Sequence, residues 1–263
     1  MPLKDRLMYD EIFQRNKLYW GDDFQLYLKN KYVAIIGLGG VGGYALEALC
    51  RLGINKILIA DFDTVSISNI NRQLIALNSN INMKKTDAFK KRLYDINPDI
   101  ELIVYDGFID EENFKEIFTV KPDFIIDAID TIKPKISLIK YAKENNINII
   151  SSFGAGNRMD ASKLYVCDIS EIQYKDNFTK NLLSKLKKYA NIDKGIWAVA
   201  SLEHAKNLQK IKNVEKIQKN NGEIIEFTKF TPASNAIVPA VSGLLAANCV
   251  LQVFYGEFNS KAQ

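Results

Sequence analysis

The sequence predicts an α/β fold: a Rossmann-like, mostly parallel sheet with helices on both faces and an elaborated C-terminal part. Short apolar runs alternate with amphipathic stretches along the first 150 residues, which is the pattern of strands buried between helices. A glycine cluster closes the first apolar run and opens a helical stretch. No repeat, low-complexity tract or Pro/Gly/Ser-rich linker divides the 263 residues, so one continuous domain is expected.

The elements follow in order. Residues 33–36 (VAII) form a first strand, Val41–Leu52 a helix and Lys56–Ala60 a second strand, together a βαβ unit. Lys84–Ile96 carries Phe89, Leu93 and Ile96 on one stripe and stops before Pro98, the mark of an amphipathic helix. Ile100–Val104 is a strand, 110–119 a helix, Phe124–Asp127 a strand, Lys135–Glu144 a helix and Ile147–Ser151 a strand. Beyond residue 160 the period weakens, leaving Lys163–Cys167 as a strand, Phe178–Tyr189 as a basic helix and Glu223–Phe227 as a strand. Ala236–Tyr255 holds no charge and is long enough to span a bilayer, yet Pro239, Ser242, Gly243, Asn248 and Gln252 recur within it. Polar groups are costly in hydrocarbon, so burial in the core or at a dimer interface is favoured over membrane contact.

Composition narrows the class. With 47% hydrophobic and 25% charged residues the chain can bury a sizeable core, which excludes disordered, collagenous and mucin-like classes. A net charge of +4 is too small for a general polyelectrolyte binder. Cys50, Cys167 and Cys249 are far apart and form no CxxC pair, so neither a disulfide framework nor a zinc knuckle is drawn. Met1–Phe13 interleaves charges with apolar residues and has no signal-peptide core. A cytoplasmic protein with three packed thiols is the expectation.

The chemistry concentrates at the ends of the apolar runs, where α/β proteins bind ligands. Gly37, Gly39, Gly40 and Gly42 lie between strand and helix, a context in which backbone N–H groups cradle phosphate at a helix N-terminus. Asp61, ending the second strand, is placed to accept ribose hydroxyls. These residues hold a nucleotide without choosing among NAD, FAD and ATP. The block after Asp61 favours a triphosphate: Asp63, Asn69, Asn71, Arg72 and Gln73 gather carboxylates, amides and a guanidinium. Lys85 adds a cation at the start of the next helix, and Asp130 a hard oxygen ligand for magnesium just past the fourth strand. Asp127, inside that strand, is read as a structural partner of the phosphate loop.

The GxGGxG turn at 37–42, the DxDxV…SNxNRQ block at 61–73, Lys85 and the DAID at 127–130 together resemble the ThiF/MoeB/HesA superfamily of ubiquitin-activating-like enzymes. The resemblance runs from Phe13 to about Phe254. It implies Mg-ATP binding and activation of a carboxylate by attack on the α-phosphate, with Asp61 on the ribose, Arg72, Lys85 and Asn71 on the phosphates and Asp130 on magnesium. It also implies a homodimer in which Arg15, in the FQRNKLYWG segment, reaches the ATP of the other subunit. Residues 1–30 would then be a helical arm, 31–156 the nucleotide-binding half and 157–263 the substrate-binding and dimer half.

Within the superfamily, absence of CxxC argues against the zinc-bearing sulfur-carrier activators, so no zinc is expected. The runs GGYALEALCRLGI (42–54), DAIDTIKPKISLI (127–139), Ser152–Gly156 with Asp160, and VPAVSGLLAA (238–247) resemble the tRNA threonylcarbamoyladenosine dehydratase branch. Its members use ATP to cyclise N6-threonylcarbamoyladenosine at position 37 of ANN-decoding tRNAs. The resemblance implies a tRNA rather than a DNA partner and leaves open a cysteine desulfurase or sulfur-acceptor partner. No protein nucleophile is needed, and His204 receives no role.

A tRNA partner fits the uneven charge, because Lys175–Lys219 holds eleven lysines against four carboxylates. Lys180, Lys185, Lys187 and Lys188 are the expected phosphate contacts, with Phe178, Tyr189 and Trp197 available for base stacking. Two readings compete with the dehydratase: an activating enzyme for a Gly-Gly-ended sulfur carrier, and an NAD-binding oxidoreductase or non-catalytic nucleotide-binding module.

Overall fold

The computed structural model describes residues 3–206, 211–218 and 224–261. Three helices, α1 (Leu3–Ile12), α2 (Gln14–Trp20) and α3 (Asp22–Lys29), form an N-terminal arm. The βαβ unit follows as β1 (Tyr32–Ile36), α4 (Gly42–Arg51) and β2 (Lys56–Ala60). Next come α5 (Lys85–Ile96), β3 (Glu101–Tyr105), α6 (Phe114–Ile117), β4 (Phe124–Asp127), α7 (Ile132–Glu144) and β5 (Asn148–Ser152). The remainder is β6 (Leu164–Asp168), α8 (Asn177–Ala190), β7 (Trp197–Ser201), β8 (Ile211–Gln218), β9 (Ile224–Thr231) and α9 (Ile237–Lys261).

Seven strands make one sheet in the order β3-β2-β1-β4-β5-β7-β6, parallel except for β6, which runs antiparallel to β7. The central strands β1, β2 and β4 are almost wholly buried because both faces are covered. On one face Phe24, Leu46, Leu49, Phe89, Leu93, Val250 and Phe254 pack into a core beneath α3, α4, α5 and α9. On the other, Phe114, Ile117, Leu138, Ile139, Leu182 and Leu186 bring in α6, α7 and α8. Register sets the chemistry: Ile36 lies opposite both Ala60 and Asp127, and Asp127 opposite Ser151. The carboxyl ends of β1, β2, β4 and β5 are therefore level, and the loops after them share one edge.

Several expectations shift. The helix expected over 110–119 is a single turn, Phe114–Ile117, since Asn113 and the carbonyl of Phe108 bind each other through the Asn113 amide and hold the preceding segment as a loop. α7 begins at Ile132, three residues earlier than expected, because Pro134 is tolerated in a first turn. β7 was not foreseen: WAVAS offers small residues and no strong alternation, yet it sits in the sheet between β5 and β6 with Ala198, Val199 and Ala200 buried. The late strand is Ile224–Thr231, paired antiparallel with β8 in a separate two-stranded ribbon; Glu223 lies outside the described residues.

The uncharged C-terminal run is helical and extends to Lys261. It meets the length and hydropathy of a membrane span with half of its apolar window buried inside the protein. Val238, Ser242, Ala246, Ala247, Val250 and Phe254 are buried. At Gly243 a Cβ would lie 2.2 Å from Val41 O, so α9 crosses α4 at backbone contact, right beside the glycine turn.

Candidate active site

The glycine turn is built by sterics. Gly37 has φ +91°, and a Cβ there would lie 2.9 Å from Ala128 O, so only glycine lets the chain leave β1 over β4. A Cβ on Gly42 would meet Gly37 O at 1.8 Å, which closes the turn on the first residue of α4. The Asn69–Gln73 block folds onto this turn. Positions where Cβ atoms of Gly39 and Gly40 would stand lie 3.8 Å from Gln73 Nε2 and 3.4 Å from Arg72 O.

Asp61 is buried at the end of β2, its Oδ2 accepting from Leu38 N–H at 2.6 Å and its Oδ1 from Asp63 N–H at 2.8 Å. Burial raises its pKa above the usual carboxylate value, while the Lys85 ammonium and the two N–H groups pull it back. Lys85 is itself buried and pairs with Asp63 Oδ2 at 2.6 Å and Asp61 Oδ1 at 3.7 Å. Its charge is thus compensated by the very acids expected beside the nucleotide.

Arg72 Nη1 donates to Ser68 O (2.8 Å) and Asn71 Oδ1 (2.9 Å). Burial lowers its pKa, and the negative charge of Asp130 acts in the opposite sense. Arg72 remains a cation throughout the physiological range. Asn71 Nδ2 donates to Ser234 O at 3.0 Å, tying the block to the segment before α9. Asn69 faces its own turn, its Oδ1 accepting from Ser66 N–H at 3.2 Å. Gln73 is buried, and its Oε1 has no partner among the described residues.

Other expected residues are placed differently. Asp127 is structural, but its partners are not in the phosphate loop: Oδ2 accepts from Lys135 Nζ (2.6 Å) and Ser151 Oγ (2.7 Å), and Oδ1 from Ile129 N–H (3.0 Å). That bond fixes the turn carrying Asp130. Arg15 is exposed on α2, whose Asn16 donates to Arg51 O at the far end of α4. Ten residues of helix, about 15 Å, separate that end from the glycine turn. Within this chain Arg15 stands at the opposite end of α4 from the glycine turn.

The lysines of α8 also divide. Asp176 caps the helix, so Lys180 stands in its first turn; Lys187 and Lys188 lie about 12 Å further along, near Asn191 and Asp193. Tyr189 and Trp197 are exposed, with Lys188 Nζ 5.0 Å from the Tyr189 ring centre. Burial pushes the thiols of Cys50 and Cys249 up to about 12 and raises that of Cys167, which denies all three the thiolate form. Sequence reasoning missed Lys135, Ser151 and Arg158, whose signal was only a charge inside an apolar helix and a basic residue after a glycine loop.

A turn closed to side chains, an acid at the end of β2 and a guanidinium-amide cluster over the turn define a nucleotide-binding enzyme of the adenylating α/β class. The chain belongs to the ThiF family, whose model matches residues 13–262. It is 40% identical over 239 residues to the tRNA threonylcarbamoyladenosine dehydratase of Bacillus subtilis, covering 91% of this chain and 92% of that protein. Crystal structures of the Escherichia coli tRNA N6-threonylcarbamoyladenosine dehydratase, TcdA, superpose with a TM-score of 0.83 in complex with AMP and with ATP. They are 27% and 26% identical and cover 95% of this chain and 96% of theirs.

Proposed function

We propose that the protein is an ATP-dependent tRNA-modifying dehydratase. It adenylates the threonyl carboxylate of N6-threonylcarbamoyladenosine at tRNA position 37 and promotes its cyclisation, releasing AMP and pyrophosphate. The observation that carries this reading is full-length similarity to named dehydratases coupled to a carboxyl-edge cluster suited to a triphosphate.

In this reading the glycine turn seats the phosphates, Asp61 accepts from ribose, and Asn69, Asn71, Arg72 and Lys85 exchange their present partners for phosphate oxygens. The orphaned Gln73 Oε1 supports a polar ligand beside the glycine turn, since buried acceptors are seldom left unpaired. No group of three or more His, Cys, Asp or Glu suited to a metal occurs among the described residues. A single carboxylate, Asp130, fits magnesium that arrives with the triphosphate and neutralises its charge. A carboxylate is a poor electrophile because oxide leaves badly; as an acyl adenylate it meets the neighbouring ureido group at high effective concentration.

The dimer belongs to the same proposal. Arg15 lies about the length of α4 from its own glycine turn, so a contribution to catalysis requires the ATP of a second subunit. We place the enzyme in the cytoplasm, where the thiols stay reduced. Lys180 is assigned to tRNA phosphate near the modified base, and Lys185, Lys187 and Lys188 to a more distant part of the same tRNA.

The test supplies Mg-ATP with either threonylcarbamoylated tRNA or a Gly-Gly-ended carrier, then measures AMP, pyrophosphate and nucleoside mass. Loss of one water from the modified adenosine is expected. Carrier-dependent pyrophosphate exchange without effect on tRNA overturns the reading. Arg72→Ala and Asp130→Ala are each expected to abolish AMP formation with an unchanged circular dichroism spectrum.

A further inference from the structure

Beyond β5 the chain passes through Phe153, Gly154, Ala155, Gly156 and Asn157 to Arg158, a loop that the phosphate cluster does not use. The Arg158 side chain is 2% exposed, and its Nη2 lies 2.6 Å from Asp176 Oδ2. Nη1 donates to the carbonyls of Gly154 (2.6 Å) and Gly156 (3.2 Å), so the guanidinium forms the hub of the loop. Asp176 is immobilised in turn: its Oδ1 accepts from Thr179 N–H, and Thr179 Oγ1 donates to Phe153 O. A planar fork of five donors suits this double grip, whereas a lysine ammonium offers no such geometry.

The grip has a consequence for the backbone. In a trans peptide the carbonyl of one residue and the N–H of the next point in opposite directions, and no cis peptide occurs among the described residues. The Gly154 carbonyl turns toward Arg158, so the Ala155 N–H turns away from it; the Phe153 carbonyl is held by Thr179 Oγ1 of α8, so the Gly154 N–H turns away from α8. Gly154 allows this with φ +108°, a region that favours glycine. Ala155 is buried and Gly154 half-buried, and neither N–H has an acceptor among the described residues. Unpaired donors in buried backbone are rare and call for a ligand or a water.

The same loop borders the adenylation site. Asn157 N–H donates to Ala233 O at 2.7 Å, and the Asn235 amide donates to Arg158 O at 2.9 Å. Between them Ser234 O receives Asn71, and Pro239 packs at Gly40 of the glycine turn. One short segment therefore touches the loop, the phosphate cluster and the turn.

We propose that Arg158, held by Asp176, is a positioning residue that presents the N–H group of Ala155, beside that of Gly154, to an oxygen of the reacting acyl group. The proposal rests on the acyl-adenylate reading above. In that chemistry a threonyl carboxylate oxygen bonds to the α-phosphorus as pyrophosphate leaves. A ureido atom then bonds to the acyl carbon as the C–O bond to AMP breaks; AMP takes the electron pair and the ureido proton goes to solvent. Once the ureido atom has added to the acyl carbon, and before the C–O bond to AMP has broken, the acyl oxygen carries added negative charge. Two donors fixed in advance stabilise it without reorganisation, as oxyanion-binding sites do.

The experiment compares Arg158→Lys, Asp176→Asn and a protein in which Ala155 is replaced by its α-hydroxy analogue, lactic acid. That ester keeps the side chains and deletes the donor, while leaving Gly154 a weaker carbonyl acceptor for Arg158. ATP affinity and tRNA-dependent formation of the dehydrated nucleoside are measured on each. ATP affinity is expected to stay within about twofold, while kcat falls about 100-fold in the ester, the scale for one oxyanion donor, and about 10-fold in the side-chain variants. KM for tRNA is expected to hold. An ester protein turning over within twofold of wild type overturns the proposal, as does loss of ATP binding in step with kcat. The ester retains Arg158 and Asp176, so misfolding of either side-chain variant still leaves the decisive measurement. Wild-type protein that forms no dehydrated nucleoside overturns instead the functional reading beneath it.

Discussion

Lys85 and Lys135 each hold an aspartate at 2.6 Å, and the two pairs have opposite meanings. Lys135 and Asp127 are both 0% exposed, and Ser151 takes up a further bond, so nothing can enter between them. Lys85 is buried as deeply, but Asp63 is 44% exposed at the carboxyl edge and Asp61 stands only 3.7 Å away. A phosphate can take the place of Asp63 at Lys85. The lesson is that ion-pair distance does not separate a structural pair from a binding one; access on the acid's side does.

The largest expected effect tests the sealed pair. Lys135→Met leaves Asp127 buried and unpaired and should cost about 3–5 kcal/mol of stability, read by chemical denaturation. Adding Asp127→Asn to it should restore most of that loss, because the uncompensated charge is then gone. If the single variant is as stable as wild type, the pair is not the sealed unit described.

The open pair should fail in function first. Lys85→Met is expected to lower AMP formation about 100-fold or more, roughly 2.7 kcal/mol, with a smaller loss of stability than Lys135→Met. Equal losses of stability in the two variants would erase the contrast.

The cysteines extend the sealed side of the comparison. With Cys50 and Cys249 pushed up to about 12 by burial, native protein at pH 8 should resist iodoacetamide and label only after unfolding, as mass spectrometry can show. The folded values exceed the ordinary 9, so the stability they contribute is full below pH 9 and is lost as pH rises toward 12. Denaturation midpoints measured from pH 8 to 11 should fall accordingly.

The smallest expected effect concerns α8. Lys180→Gln should weaken tRNA binding and lower the slope of log affinity against log salt by about 0.7–0.9, one phosphate contact. Lys187→Gln should do less, since that side chain already lies 3.5 Å from Asp193. Equal effects would mean that the tRNA follows the whole helix rather than its N-terminal end.

Much of this site was legible before folding. Gly37, Asp61, Arg72 and Asp130 announce themselves because strand ends, glycine turns and charge clusters are local features with local sterics. The β1-α4-β2 unit is likewise legible, since its apolar period and its glycines lie within thirty residues. β7 was not, because Ala and Ser carry little strand preference until neighbours on both sides bury them. Arg15 could be assigned an end of α4 only once Asn16 was seen on Arg51.

What the sequence determined by itself is the class of fold and the inventory of charged and polar groups at its carboxyl edge, because strand period and turn chemistry act over a few residues. What only the tertiary structure decided is which groups face each other. Lys135 seals Asp127, Lys85 stays at the open edge, and Arg158 grips the carbonyls of Gly154 and Gly156. Those outcomes depend on strand register and on helices packed from distant parts of the chain, which fix burial and therefore the strength and availability of every charge.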